Sequence, residues 1–170
     1  FKNLLKQLEY PLAAPSANIT TKVSAVKAAD VKEEFGKKIK YVLNGGKCSV
    51  GLESTIINLT GKPTILRLGG LDISKIRKVL EFKIEININP KKKISPGQSN
   101  LHYSPGIPLK MNINKPGKDS AFILIKKRKT KSKNYYYLST KGNLNEAAKN
   151  LYSCLRKIKG KACSKKNRTS

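Results

Sequence analysis

Apolar residues follow a helical period at one end of the chain and an alternating one further on. Between positions 21 and 35, Ala28, Val31 and Phe35 stand at i, i+3 and i+7, which lines one face of a helix, with Ser24 placed to cap its start and Gly36 to stop it. Tyr41-Val42-Leu43 then leads into the turn Asn44-Gly45-Gly46, where a tight bend with positive φ is the simplest role for the glycines. Two β-branched runs follow, Ser54-Thr55-Ile56-Ile57-Asn58-Leu59 and Thr64-Ile65-Leu66-Arg67, set apart by Gly61-Lys62-Pro63, and they predict adjacent strands. Ile73, Ile76 and Leu80 predict a short helix. Phe82, Ile84, Ile86 and Ile88 alternate with Lys83, Glu85 and Asn87, the period of a half-buried strand.

Positions 90–108 hold four prolines, two glycines and Lys91-Lys92-Lys93, so no regular element persists through them and they read as a linker. Beyond it, Ala121-Phe122-Ile123-Leu124-Ile125 and Tyr135-Tyr136-Tyr137-Leu138 predict strands, while Leu144, Ala148, Leu151, Leu155 and Ile158 line a helix face. Positions 161–170 have no apolar face and read as a frayed or truncated end. The expected organisation is therefore α/β: one unit over 1–89, the linker over 90–108 and a smaller α/β unit over 109–170. The 170 residues suit two small units.

Composition narrows the classes. No run reaches about eighteen uncharged apolar residues, and positions 1–10 carry Lys2, Lys6 and Glu9 where a signal peptide would be apolar, so a membrane-bound or secreted protein is not expected. Cys48, Cys154 and Cys163 lack metal-ligand spacing and His102 is the single histidine, so reduced thiols in a cytosolic protein are expected, with no protein-bound metal. The chain begins at Phe1 and its one methionine is Met111, which reads as a fragment of something longer.

Charge is lopsided: 36 Lys and Arg face 10 Asp and Glu, a formal net charge of +26. Positions 1–85 hold 15 basic and 8 acidic residues, and 86–170 hold 21 and 2. Polyanion contact would account for this. So would AT-rich coding, since 31 of the cations are lysine and only Arg67, Arg77, Arg128, Arg156 and Arg168 offer the planar fork suited to phosphate. The phosphate loops GxGxxG and GxxxxGK[ST] are absent, the few acids sit beside lysines on exposed faces, and a Ser/His/Asp triad would depend on His102 in the Pro-rich segment.

Three stretches carry more information together: Pro11-Leu12-Ala13-Ala14-Pro15-Ser16-Ala17-Asn18, then Asn44-Gly45-Gly46 through Gly51-Leu52-Glu53-Ser54-Thr55-Ile56-Ile57, then Ile65-Leu66-Arg67-Leu68-Gly69. In this order they resemble the YrdC-like threonylcarbamoyl-adenylate synthases. Ser95-Pro96-Gly97 followed by His102-Tyr103-Ser104-Pro105 and Pro108-Leu109 resembles the linker of the two-domain members. The resemblance implies the C-terminal half of a twisted open mixed sheet with helices, a Pro-rich linker across the active-site mouth, and a partial Rossmann-like α/β domain. It also implies an activity: L-threonine, bicarbonate and ATP become threonylcarbamoyl-AMP and pyrophosphate, for threonylcarbamoyladenosine synthesis on tRNA. Mg2+ would be carried with the ATP.

By the same resemblance, Ser16, Ser24, Arg67 and Tyr103 face ATP, Ala14 contributes backbone and Ser54 its hydroxyl to threonine, and Asn18 and Glu53 support the loops. No catalytic nucleophile or base is assigned, because in-line attack on an α-phosphorus relies on positioning and charge stabilisation. The chain departs from the family pattern at Thr20-Thr21 and at Leu68, which are tolerable substitutions, and at Gln98, Ser99 and Asn100, which weakens the expected closure by the linker. The family's upstream Lys-x-Arg motif does not occur before Phe1, so the chain alone is expected to be inactive. The alternatives are a non-catalytic basic module that binds tRNA or double-stranded RNA through 86–170, and a non-functional remnant.

Overall fold

The computed structural model describes residues 1–90, 95–98, 102–129 and 132–166, with side chains up to 162. Lys91-Lys92-Lys93, Ser99, Asn100 and the last four residues lie outside the described residues.

A short α1 (Lys2–Leu5) precedes an irregular stretch and α2 (Ala28–Phe35). The helix is where the apolar spacing places it, but Ser24 is not its cap. Asp30 fills that role from inside the first turn, its carboxylate accepting from the Val26 N–H at 3.0 Å and the Lys27 N–H at 3.2 Å. At the other end Gly36 takes φ 52°, the positive value that ends a helix cheaply when no Cβ is present.

Strands β1 (Ile56–Asn58) and β2 (Thr64–Arg67) pair antiparallel, and β2 pairs parallel with β3 (Glu85–Ile86), giving a mixed sheet in the order β1-β2-β3. Central β2 buries Ile65 and Leu66. The strands are shorter than the residue pattern predicts, for local reasons. Thr55 Oγ1 donates to the Leu71 carbonyl at 2.9 Å and accepts from the Gly69 N–H at 3.2 Å, and Arg67 takes the Ser54 carbonyl, so this stretch is tied sideways before the ladder begins. Asn58 Oδ1 accepts from the Thr60 N–H at 3.1 Å and turns the chain out of β1. Tyr41, Val42 and Leu43 form no strand, and Tyr41 and Leu43 are exposed. Helix α3 (Ile73–Val79) is capped by Asp72, whose Oδ1 accepts from the Ser74 N–H at 2.8 Å.

Further along the chain β4 (Phe122–Lys126) and β5 (Tyr135–Ser139) pair parallel, and α4 (Leu144–Lys166) packs on β5. Positions 161–166 continue this helix instead of fraying, with Lys161 Nζ 5.4 Å from the centre of the Tyr136 ring. Asn143 Oδ1 accepts from the Glu146 N–H at 2.9 Å and starts the helix. Its inner face reaches beyond β4 and β5. Tyr152 and Leu155 join Val23 and Val26 in one buried cluster, edged by Leu52, Tyr103, Ile123 and Leu151. Burial of each Val or Leu there is worth about 1.5–3 kcal/mol, so this cluster ties α4 to the stretch just before α2.

Candidate functional site

Arg67 ends β2, and its guanidinium is held from two separate parts of the chain. Nε donates to the Ser54 carbonyl at 2.9 Å and Nη2 to the Ser54 hydroxyl at 3.1 Å. From the other side, Nη1 donates to Tyr103 Oη at 3.1 Å and to the Pro96 carbonyl at 3.4 Å. Four acceptors fix the plane of the fork, while Ser54 is exposed and Arg67 only half-buried, so the group remains open to a ligand.

Residues 96–98 and 102–105 are held by contacts that the prolines do not reveal. Gln98 is buried and donates from Nε2 to the Leu66 carbonyl at 3.2 Å, which anchors it on β2. Ser104 donates its N–H to the Thr21 carbonyl at 2.8 Å, and its own carbonyl accepts from the Val23 N–H at 3.2 Å. Between these anchors Tyr103 holds φ 54°, a left-handed backbone that costs a non-glycine residue about 1–3 kcal/mol. Gly97 has φ 93°, and a Cβ there would stand 2.9 Å from Tyr103 Oη and 3.0 Å from Arg67 Cδ. Burial pushes the Tyr103 phenol above its ordinary pKa against the opposing pull of Arg67, so it stays protonated and neutral. His102 packs its ring 4.0 Å from Tyr103, and its buried Nδ1 has no hydrogen-bond partner among the described residues.

A second polar group adjoins the first through Glu53, the neighbour of Ser54. Ser24 Oγ lies between Asn18 Oδ1, at 3.1 Å, and a Glu53 carboxylate oxygen in close contact. Asn18 Nδ2 donates to the carbonyls of Ile19 at 3.0 Å and Lys22 at 3.1 Å, which fixes its amide and leaves Oδ1 as the acceptor. Ser24 was expected to present a hydroxyl beside free N–H groups at a helix start. Instead it is buried in an extended stretch with its hydroxyl already engaged, and Asp30 takes the N–H groups of Val26 and Lys27.

Ala14 and Ser16 are exposed on the preceding segment. The Ser16 carbonyl accepts from the Asn18 N–H at 2.9 Å, but among the described residues no hydrogen bond joins the Ser16 side chain to Ser54 or Arg67. The structure thus gathers Asn18, Ser24, Glu53, Ser54, Arg67 and Tyr103 into one continuous polar strip, with Ser16 joined to it through the Asn18 backbone. Among the described residues no three His, Cys, Asp or Glu side chains gather as metal ligands would, and no helix is long and apolar enough to cross a membrane.

Tyr152, on α4, was missed by the residue reading. It is buried, and its ring stacks on Tyr103 with centroids 6.1 Å apart and planes 20° from parallel. Its spacing from Ala148 and Leu155 was the available signal, since it widens the helical face beyond the residues singled out.

Comparison with known proteins adds a family. The family model described as Telomere recombination matches residues 1–69, and that described as Threonylcarbamoyl-AMP synthase, C-terminal domain, matches residues 71–165. The threonylcarbamoyl-AMP synthase of Pyrococcus abyssi is 42% identical over 110 residues, covering 60% of this chain and 32% of that protein. The Schizosaccharomyces pombe protein of the same name is 33% identical over 159 residues, covering 86% of this chain and 36% of its own length. The crystal structure of P. abyssi Sua5 complexed with L-threonine superposes with a TM-score of 0.73 at 29% identity, over 92% of this chain and 51% of that one. The chain therefore spans about a third of the length of the curated relatives it matches. With matching models on both sides of residue 70 and a related mixed α/β fold, the chain belongs to the threonylcarbamoyl-AMP synthase family.

Proposed function

We propose that this chain is part of a threonylcarbamoyl-AMP synthase and that the strip ending at Arg67 is where it meets ATP and L-threonine. In the proposed reaction the threonine amine is carbamoylated, by carbon dioxide with loss of the amine proton or by bicarbonate with release of water. A carbamate oxygen then attacks the α-phosphorus of ATP, and the bond to the β,γ-pyrophosphate breaks as the new P–O bond forms. Arg67 is assigned to the phosphates and Tyr103 to the nucleotide beside it. Ser54 and the Ala14 backbone are assigned to threonine, with Ser16 on the ATP side of the same loop. Asn18 and Glu53 hold the loops, and Ser24 reaches a phosphate only by giving up its contact with Glu53. Mg2+ is taken to arrive on the ATP, as part of the substrate.

The observation that carries this reading is the Arg67 fork, fixed by Ser54 on one side and by Pro96 and Tyr103 on the other while half-open to solvent. A charge held in place beforehand costs no reorganisation when phosphate charge shifts during transfer. Substrate preference has separate support, since a related Sua5 was crystallised with L-threonine. The second unit, over 109–170, is proposed as a partial Rossmann-like domain on the linker over 90–108. Its parallel β4–β5 pair with α4 packed on β5 supports this.

The test uses the longer protein that contains this chain and follows threonine-dependent pyrophosphate release. Arg67→Ala is expected to lower kcat/KM for ATP by about tenfold to a hundredfold, the worth of one or two charge-assisted hydrogen bonds. Arg67→Lys should recover little, because an ammonium cannot reproduce the fork. An unchanged kcat/KM for ATP in Arg67→Ala would overturn the assignment. The chain alone is expected to show no turnover, and pyrophosphate release from it would overturn that part.

A further inference from the structure

The geometry points to Tyr152 as a positioning residue for the proposed ATP site, through which helix α4 of the second unit sets the Arg67 guanidinium by way of the Tyr103 ring; this rests on the functional reading above. Tyr103 has one hydrogen bond to Arg67, from Nη1 at 3.1 Å, and nothing in that contact fixes the tilt of its ring. The backbone does not hold it passively either, since φ 54° is a sparsely populated conformation. The ring is held between His102, edge-on at 4.0 Å, and the flat face of Tyr152, stacked at 6.1 Å and 20° and itself locked among Val23, Val26 and Leu155. Gly97 lies close to both, since a Cβ there would stand 2.9 Å from Tyr103 Oη and 3.0 Å from Arg67 Cδ.

One turn further along α4, Arg156 ties the platform to α2 and the stretch before it. Its Nη2 donates to the Val23 carbonyl at 2.7 Å and to Glu34 Oε2 at 2.8 Å. Glu34 Oε1 in turn accepts from the Ile19 N–H at 2.9 Å, next to Asn18. Both arms of the polar strip are thus referred to the same helix, the Arg67 arm through Tyr152 and the Asn18–Ser24 arm through Arg156. A core tyrosine with only a packing role would affect both substrates alike. A tyrosine that aims Tyr103 at Arg67 affects the nucleotide selectively.

The experiment again uses the longer protein. Tyr152→Leu keeps apolar bulk and removes the flat face. It is expected to raise KM for ATP by about twofold to tenfold, the range of an aromatic pair, with KM for threonine unchanged. Tyr152→Phe retains the stack and is expected to match the parent protein. In a Tyr103→Ala background, Tyr152→Leu should have no further effect on KM for ATP, because the ring it acts through is gone. Should Tyr152→Leu not fold, Tyr152→Met is measured in its place. The inference is overturned if both KM values rise together, if Tyr152→Phe loses as much as Tyr152→Leu, or if the two substitutions add in the double variant. These outcomes are separable from failure of the functional reading, which Arg67→Ala tests directly.

Discussion

A Cβ at position 69 would stand 2.3 Å from the Ser54 carbonyl carbon and the Thr55 nitrogen and 2.4 Å from the Glu53 carbonyl oxygen. All three are backbone atoms, so no side chain can swing aside. The same neighbourhood supplies two bonds: the Gly69 N–H to Thr55 Oγ1 at 3.2 Å, and the Gly70 N–H to the Glu53 carbonyl at 2.8 Å. Close approach here is what keeps the stretch bearing Ser54 against the strand bearing Arg67. Gly69→Ala is expected to cost about 1–3 kcal/mol as an overpacking substitution, read as a lowered unfolding midpoint. Weaker ATP binding should accompany it, since the fork loses its Ser54 acceptors. Gly45 provides the contrast, with nothing within 4 Å of its would-be Cβ, and Gly45→Ala should stay within about 0.5 kcal/mol of the parent. Equal losses at the two positions would refute the close-approach explanation.

Helix α2 is held at both ends by carboxylates on its own turns, Asp30 at the start and Glu34 near the end. Burial alone would raise the Glu34 pKa, but the Ile19 N–H and then the Arg156 guanidinium outweigh it, and the group lies below its ordinary value of 4.5. A carboxyl with a depressed folded pKa contributes stability that is complete above the unfolded value and is lost as pH falls through the folded one. The attachment of α2 to α4 should therefore be complete at neutral pH and weaken as pH falls below the ordinary carboxylate value. Arg156→Met is expected to lower stability at neutral pH and to flatten this acid slope, followed by unfolding midpoints at several pH values. An unchanged slope in Arg156→Met would show that Glu34 owes nothing to the pair. Helix α2 was legible in the sequence because Ala28, Val31 and Phe35 keep one period with Gly36 behind them, whereas its start was not, because Ser24 and Asp30 both suit a cap and only the fold shows which is free. The strands around Ser54 and Thr55 were overestimated because tertiary hydrogen bonds to Arg67, Gly69 and Leu71 divert them, which residue propensity does not encode. In the site, motif order pointed to Ser54 and Arg67, while Tyr152 acquires its role only from the long-range packing of α4.

Charge acts on the whole molecule: the chain carries a formal +26, and the stretch from 86 onward has 21 basic residues against 2 acidic. Lys126, Lys127, Arg128 and Lys129 leave β4 exposed and in sequence. Arg128 lies 5.9 Å from the centre of the Phe122 ring, so the one arginine of that run is turned toward an aromatic face of its own strand. The lysines are point charges on flexible stems, able to neutralise phosphates but poor at recognising their arrangement. Such a coat is expected to bind any polyanion by counterion release. If about six phosphates are contacted, affinity for a transfer RNA, an unrelated duplex RNA and heparin should each fall by about a thousandfold between 50 and 200 mM salt. Fluorescence anisotropy across a salt series measures this. Parallel slopes for all three ligands would mark the charge as a non-specific field, which raises local RNA concentration without choosing a site. Transfer RNA binding that survives high salt while heparin is lost would instead require a shaped contact surface. It would then fall to base-edge or backbone hydrogen bonds in the second unit, not to its net charge, to explain recognition.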